Sequence, residues 1–234
     1  MSGTLLLGSG WHPFLFRSEI TALFGDFKTL HPRLVLLDQP IDEKLLSRLS
    51  SAALVEDLLH FGGYSNNTSF EFLSQTISDW SKENLPPGSF AVRSKKLGSG
   101  VKGISRRDLE KEVGAQLYCE KNPVDLQNPK YEIMIIVAGK VDGEVHWDSV
   151  DSNPCITWGI RENKWVKSNY VGRQPMERPF FKPISLEPRL AKLLISLAHR
   201  EGINPKAMID PFCGTGGIAI EALIQGMDVY ASDL

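Results

Sequence analysis

Cysteine is scarce in this 234-residue chain: there are three, Cys119, Cys155 and Cys213, far apart and odd in number. No Cys-x-x-Cys pair occurs, which argues against a disulfide scaffold or a cysteine zinc site and points to a reducing cytosol. Long apolar runs are missing too. No stretch approaches the ~18 residues of a membrane span. The start, Met1-Ser-Gly-Thr-Leu-Leu-Leu-Gly8, has neither the basic residues nor the apolar length of a secretory signal. A soluble cytoplasmic protein with no membrane partner is expected. The five histidines, His12, His31, His60, His146 and His199, do not stand at metal-ligand spacing from one another or from cysteines and acids, so no metal site is expected. An excess of one charge is also lacking. The net charge is −2, so a surface for nucleic acid must be local. What remains is 42% hydrophobic and 23% charged, the composition of a globular protein of one or two domains.

Strands and helices alternate along the chain. Thr4–Leu7 and Arg33–Leu37 read as strands. Phe14–Phe24 reads as a helix with Phe16, Ile20, Leu23 and Phe24 at helical spacing, and Asp42–Leu49 as a short helix capped by Asp42. Ala52–Phe61 fits either state and is expected to end at Gly62-Gly63. These elements predict a small α+β domain up to about residue 65. A second one is expected over about 66–155. It has a helix at Ser69–Trp80 capped by Ser69, a strand at Phe90–Arg93 and a helix at Ser105–Leu117 capped by Ser105. An apolar strand follows at Tyr131–Ala138 and turns at Asp142-Gly143 into another ending at Trp147. Residues 153–181, rich in Trp, Asn, Arg and Pro, read as a linker in which Trp158 and Trp165 pack rather than stack on bases. Glu187–His199 then forms a helix with Leu190, Leu193, Leu194 and Leu197 on one side. A strand (Ala207–Asp210), a glycine-rich turn, a helix (Gly217–Ile224) and a strand (Asp228–Ala231) open a doubly wound α/β fold.

The sharpest local signal is Met208-Ile-Asp210-Pro-Phe212-Cys-Gly214-Thr-Gly216-Gly217-Ile-Ala219. Glycines let the backbone approach a ligand, and the following helix offers free N–H donors. Asp233 lies 23 residues beyond Asp210, at the end of the next strand, where an acid accepts hydrogen bonds from ribose hydroxyls. Gly214, Gly216 and Ala219 also satisfy the loose G-x-G-x-x-A pattern of NAD or FAD sites. Asp210 weighs against a dinucleotide, because a carboxylate beside the turn repels a pyrophosphate. It suits S-adenosylmethionine, whose methionyl end carries an ammonium and a sulfonium. A turn that Asp210 merely caps is the remaining reading.

Basic residues concentrate in one place. Gly88–Lys111 holds Arg93, Lys95, Lys96, Lys102, Arg106, Arg107 and Lys111 against Asp108 and Glu110, a local net of +5 in a chain of net −2. Gly98, Gly100 and Gly103 loosen the loop between them, and the helix that starts at Ser105 presents N–H groups to phosphates. A solvated basic face is the alternative. No base-reading code is evident, so recognition of folded RNA by shape and backbone, including its end, is expected.

Two stretches carry a family resemblance. Asp210-Pro-Phe-Cys-Gly-Thr-Gly-Gly, with Arg178-Pro-Phe-Phe-Lys-Pro183-Ile-Ser-Leu-Glu-Pro-Arg-Leu-Ala191 upstream, resembles the THUMP-domain tRNA guanine-N2 methyltransferases, most of all the archaeal enzymes that act on the guanosine at position ten of tRNA. Phe90-Ala-Val-Arg93, Val124-Asp-Leu-Gln-Asn-Pro129 and the apolar strand after them are similar to the THUMP pattern. The resemblance implies a ferredoxin-like domain (1–65), a THUMP RNA-binding domain (66–155), a linker (156–179) and the start of a Rossmann-type methyltransferase domain (180–234). It implies tRNA as partner and S-adenosylmethionine as cofactor, with RNA contacts from Arg93, Lys95, Lys96, Lys102, Arg106 and Arg107. It also implies that Phe181, Lys182, Pro183 and Ser185 lie near the cofactor, beside Asp210, Phe212, Gly214, Gly216 and Asp233; Phe180 and Phe181 as plain core is the other reading. The family's Asp/Asn-Pro-Pro-Tyr/Phe motif, which would engage the target amine and stack on the base, does not occur here, so no catalytic residue is assigned. Asn84-Leu-Pro-Pro87 has no aromatic next to it and lies in the wrong domain. Two Rossmann strands cannot bury both sheet faces. The chain is therefore expected to be part of a longer protein or of an interrupted gene, and to bind RNA without turning over by itself. An RNA-binding protein without catalysis and an NAD-dependent oxidoreductase remain as alternatives.

Overall fold

A computed structural model describes residues 3–140, 153–180, 182–200, 203 and 205–234. It divides into two compact units. One comprises Met1–Leu7, Lys28–Pro40 and Asp57–Lys164, the other Gly8–Phe27, Ile41–Glu56 and Trp165–Leu234. The mixed α/β architecture expected from the sequence is observed, with nine strands and six α-helices among the described residues.

The first unit is built on a seven-stranded sheet in the order β2-β3-β1-β4-β7-β6-β5. The strands are β1 (Thr4–Gly8), β2 (Lys28–His31), β3 (Leu34–Leu37), β4 (Val55–Ser65), β5 (Phe90–Leu97), β6 (Tyr131–Ala138) and β7 (Cys155–Arg161). Along the chain, counting α1 (Pro13–Phe24) and α2 (Glu43–Leu49), which belong to the second unit, the elements up to β4 run β-α-β-β-α-β, the element order of ferredoxin-like folds. Helices α3 (Phe70–Asn84) and α4 (Arg106–Leu117) bring Leu73, Ile77, Leu109, Val113 and Leu117 onto one face, against Phe90, Val92, Ile133, Ile135 and Trp158. Leu5, Leu7, Leu34, Leu59, Met134 and Ile136 fill the other. A strand buried on both faces reads as a continuous apolar run, as Ile133–Ala138 within β6 does. The expected caps are in place: Asp42, Ser69 and Ser105 accept from the backbone N–H groups of Leu45, Phe72 and Asp108.

Several elements differ from expectation. The strand in Ala52–Phe61 does not stop at Gly62-Gly63 but runs to Ser65, with a register shift between Phe61 and Gly63. The glycines are there for closeness. A Cβ on Gly63 would lie 2.2 Å from the Trp158 ring, and one on Gly62 2.8 Å from the Trp80 ring. The stretch read as linker contains β7, which pairs antiparallel with both β4 and β6. Its first five residues are all buried, so no alternation marks it. β2 was unforeseen, because four residues beginning with Lys28 carry little pattern. The expected turn at Asp142-Gly143 and the strand to Trp147 lie outside the described residues.

The second unit contains α1, α2, α5 (Pro188–Leu197), β8 (Ala207–Asp210), α6 (Gly217–Ile224) and β9 (Asp228–Ala231). β8 and β9 pair in parallel around α6, the expected opening of a doubly wound sheet. α1 packs on α5, and α5 on α6. The buried side of α5 holds Ala191, Leu193 and Ile195 together with Lys192 and Ser196, whereas Leu194 is 47% exposed. Of the expected leucine stripe, Leu193 is buried, Leu190 and Leu197 are half-buried, and Leu194 alone is exposed. Polar residues take part because Ser196 Oγ donates to the carboxylate of Glu19, itself fully buried. Lys192 Nζ donates to Ser50 O and Ser168 Oγ, each at 2.6 Å.

Candidate cofactor and nucleic-acid sites

The glycine-rich turn joins β8 to α6. Gly214 and Gly216 have φ of 55° and 73°, the left-handed region that glycine enters without strain. The turn is tied to β9: Cys213 N–H donates to Ser232 O, Ser232 N–H to Asp210 O, and Gly214 N–H to Asp233 Oδ2 at 2.7 Å. Asp210 Oδ1 accepts from Phe212 N–H at 3.2 Å. A cavity of about 220 Å³ opens beside the turn, lined by Asp210, Phe212, Gly214, Thr215 and Gly217 on one side and by Lys182, Ile184 and Leu186 on the other. Ser185 joins the two sides. Its hydroxyl accepts from Lys182 N–H at 2.8 Å and from Thr215 Oγ1 at 3.0 Å.

Of the residues expected near a cofactor, Lys182, Asp210, Phe212 and Gly214 share this cavity. Ser185, Gly216 and Asp233 shape the segments around it, and Pro183 is exposed outside its lining. Phe181 lies outside the described residues. Phe180 is 61% exposed, with the Lys182 ammonium 6.0 Å from its ring centroid, so it is not core. Sequence reasoning passed over Thr215, Ile184 and Leu186; Thr215 lay within the quoted motif, but its hydroxyl partner is 30 residues away. Phe212, Ile209 and Tyr230 are 77%, 77% and 67% exposed, leaving apolar surface around β8 and β9.

The basic segment spans the end of β5, a loop and the start of α4. Lys95 and Lys96 belong to β5, which extends four residues past the expected strand. Gly98, Gly100 and Gly103, all at positive φ, turn the chain toward α4. The Lys96 side chain lies against Gly100. Lys102 and Arg107 are exposed, and Arg106 Nη1 donates to Ser94 O at 3.4 Å. Arg93 donates to Leu126 O and lies 3.9 Å from Glu132. Arg93, Arg107 and Lys111 border a groove of about 500 Å³ between β5 and α4, with Phe90, Val92, Gly114, Tyr118, Val124 and Leu126 along it. Arg93, Arg106 and Arg107 are thus gathered at β5 and the first turn of α4, while Lys102 stands apart in the loop. Among the described residues no group of His, Cys, Asp and Glu could hold a metal, and no helix is long and apolar enough to cross a membrane.

Residues 67–141 match the model of the THUMP domain, and residues 175–233 match a model described as RMKL-like, methyltransferase domain. The chain is 30% identical over 191 residues to the tRNA (guanine(10)-N2)-dimethyltransferase of Methanothermobacter thermautotrophicus, covering 81% of this chain and 49% of that protein. It is 29% identical over 148 residues to the Pyrococcus abyssi protein of the same name, covering 63% of this chain and 38% of that one. The chain thus spans about half the length, or less, of the curated relatives it matches. Its fold is shared with TrmN from Thermus thermophilus, with a TM-score of 0.55, 23% identity, and coverage of 99% of this chain and 65% of that one.

Proposed function

We propose that this chain, which belongs with the THUMP-bearing tRNA guanine-N2 methyltransferases, works in S-adenosylmethionine-dependent methylation of the exocyclic N2 amine of a guanosine in tRNA. One observation carries the reading: a single chain joins a THUMP domain bearing a basic strand–loop–helix segment to a glycine-rich turn with a carboxylate at its mouth. In this reading residues 66–155, with β7, bind RNA, 1–65 form the ferredoxin-like domain, and the methyltransferase part begins near residue 180.

The turn suits the cofactor on chemical grounds. Asp210 offers negative charge to a cationic methionyl end, and Gly214 and Gly216 keep the backbone bare where a ligand approaches. Asp233 holds Gly214 N–H with one carboxylate oxygen and offers the other to ribose hydroxyls. Phe212 gives apolar surface, and Lys182, Pro183 and Ser185 belong to the facing segment. The cavity, about 220 Å³, is below the roughly 300–1,000 Å³ typical of ligand pockets, so these residues wall one side of the cofactor. When bound, the cofactor supplies a sulfonium methyl group to the amine. An aromatic amine is a weak nucleophile, so orientation matters more than a strong base. Arg93, Lys95, Lys96, Lys102, Arg106 and Arg107 hold the tRNA through its phosphates, and a guanosine inside a stem must be exposed before it reacts.

The test is mass spectrometry of nucleosides from tRNA treated with the full-length protein and S-adenosylmethionine. N2-methylated guanosine is the expected product. Methylation at another base or another atom would overturn the substrate assignment, and no methylation of any tRNA would overturn the activity.

A further inference from the structure

Opposite the glycine-rich turn, the wall of the cofactor cavity is a short irregular segment, Lys182–Leu186. Such a segment has no ladder of its own to hold it, so its position depends on side chains. Ser185 fastens its middle to Thr215. Its end is fastened by two arginines that do not line the cavity.

The anchor is Glu221 on α6, whose side chain is 1% exposed. Arg173 Nη1 donates to both its oxygens, at 2.9 and 2.7 Å. Burial pushes the Glu221 carboxyl above its ordinary range, and the Arg173 charge works against that shift. Losing either partner would leave an uncompensated charge inside the unit, so the pair pins Arg173 to α6. The Arg173 carbonyl in turn accepts from Arg178 Nε at 3.0 Å, and Arg178 Nη2 donates to Leu186 O at 3.4 Å. Arg178 Nη1 is buried and has no acceptor. It lies against Gly217, the first residue of α6: a Cβ there would be 3.4 Å from Arg178 Nη1 and 3.4 Å from Leu186 Cβ and O. The absent side chain at 217 is what lets the arginine and the wall close onto the helix start. The planar guanidinium spans two carbonyls at once, which a lysine ammonium on a flexible stem does not reproduce.

We propose that Arg178, held by the buried Arg173–Glu221 pair, positions the Lys182–Leu186 wall against the glycine-rich turn and so sets cofactor affinity without touching the cofactor. The inference rests on the cofactor reading above. In the full-length protein, Arg178→Lys, Arg178→Ala and Glu221→Gln are compared with wild type by calorimetric titration with S-adenosylhomocysteine and by amide hydrogen exchange. Each variant is expected to bind about tenfold more weakly, the factor that ~1.4 kcal/mol produces. In the Arg178 variants exchange should quicken at residues 182–186, with β8 and α6 at wild-type rates. Equal affinity in wild type and variants would overturn the positioning role alone. Faster exchange throughout the unit in the Arg178 variants would also overturn it, because Arg178 would then be a general support of the fold. A wild type that does not bind S-adenosylhomocysteine would instead sink the cofactor reading, and this inference with it. Should Glu221→Gln fail to fold, Arg178→Lys carries the test.

Discussion

Replacing Glu19 should cost the second unit much of its stability. Its side chain is fully buried, and three donors reach its carboxylate. Ala53 N–H reaches Oε1 at 2.6 Å and Leu54 N–H reaches Oε2 at 2.9 Å, with Ser196 Oγ as the third donor. Glu19→Ala leaves two buried backbone N–H groups without an acceptor. At roughly 1–3 kcal/mol each, the loss is about 4 kcal/mol. Ser196 can fall back on Leu193 O at 2.9 Å, and Lys192 keeps Ser50 O and Ser168 Oγ, so neither adds much. Relief from burying a charge offsets part, which brings the expectation to about 3 kcal/mol. Glu19→Gln keeps the volume but turns an NH₂ toward one of the two backbone donors, for about 1–2 kcal/mol.

The pH dependence of stability separates both variants from wild type. Burial raises the Glu19 carboxyl above 4.5, against the pull of Ser196, Ala53, Leu54 and Lys192, so the native state holds its proton more tightly than the unfolded chain does. Stability from this group is full below 4.5 and is lost as pH rises through the folded value. Glu221 acts in the same direction. Lys192 is lowered from 10.5 by burial, so its contribution is present above 10.5 and is lost as pH falls through its folded value. Urea unfolding followed by far-UV circular dichroism at about pH 5 and about pH 8 should therefore show wild type losing stability between them, and Glu19→Gln losing less. Glu19→Ala within about 1 kcal/mol of wild type, or identical pH slopes for wild type and Glu19→Gln, would refute the reasoning.

Asp210→Ala and Asp233→Ala in the full-length protein should each weaken S-adenosylmethionine binding by on the order of 2 kcal/mol per broken charge-assisted bond, read by calorimetry; wild-type affinity in both would remove the site. Changing Arg93, Lys95, Lys96, Arg106 and Arg107 together to Ala should weaken tRNA binding and flatten its dependence on salt, by roughly one unit of slope for each phosphate no longer neutralised. Unchanged affinity and slope in an anisotropy titration would make the segment a solvated face.

The sequence was most legible where the chemistry is contiguous. Asp42, Ser69 and Ser105 announce their helices because a cap acts two or three residues away. The Asp210–Gly217 turn could be read for the same reason: strand end, glycines and helix start are adjacent, and their conformations follow from local rules. β7 was hidden because a strand buried on both faces loses its alternation, and Trp158 within it looked like part of an irregular segment. Gly62-Gly63 looked like a stop because the rings that require bare backbone there come from Trp80 and Trp158, which no local rule brings near. The far wall of the cavity was reached only through family resemblance, and what holds it was not reached at all. Glu221 reads as one acid in a short helix, and its partner Arg173 lies 48 residues earlier in a stretch without periodicity. The same holds for Glu19 and Ser196, 177 residues apart. Hydrophobic patterning therefore found Leu193 on the buried face of α5 but not Lys192 and Ser196, which are buried there while Leu194 is exposed. An unpartnered buried polar group is costly, and in this unit most partners come from α1, the residues just after α2, the stretch before α5, α5 itself and α6. A pattern confined to one helix cannot register a requirement that five segments meet together, which is why the turn was visible in the sequence and its supports were not.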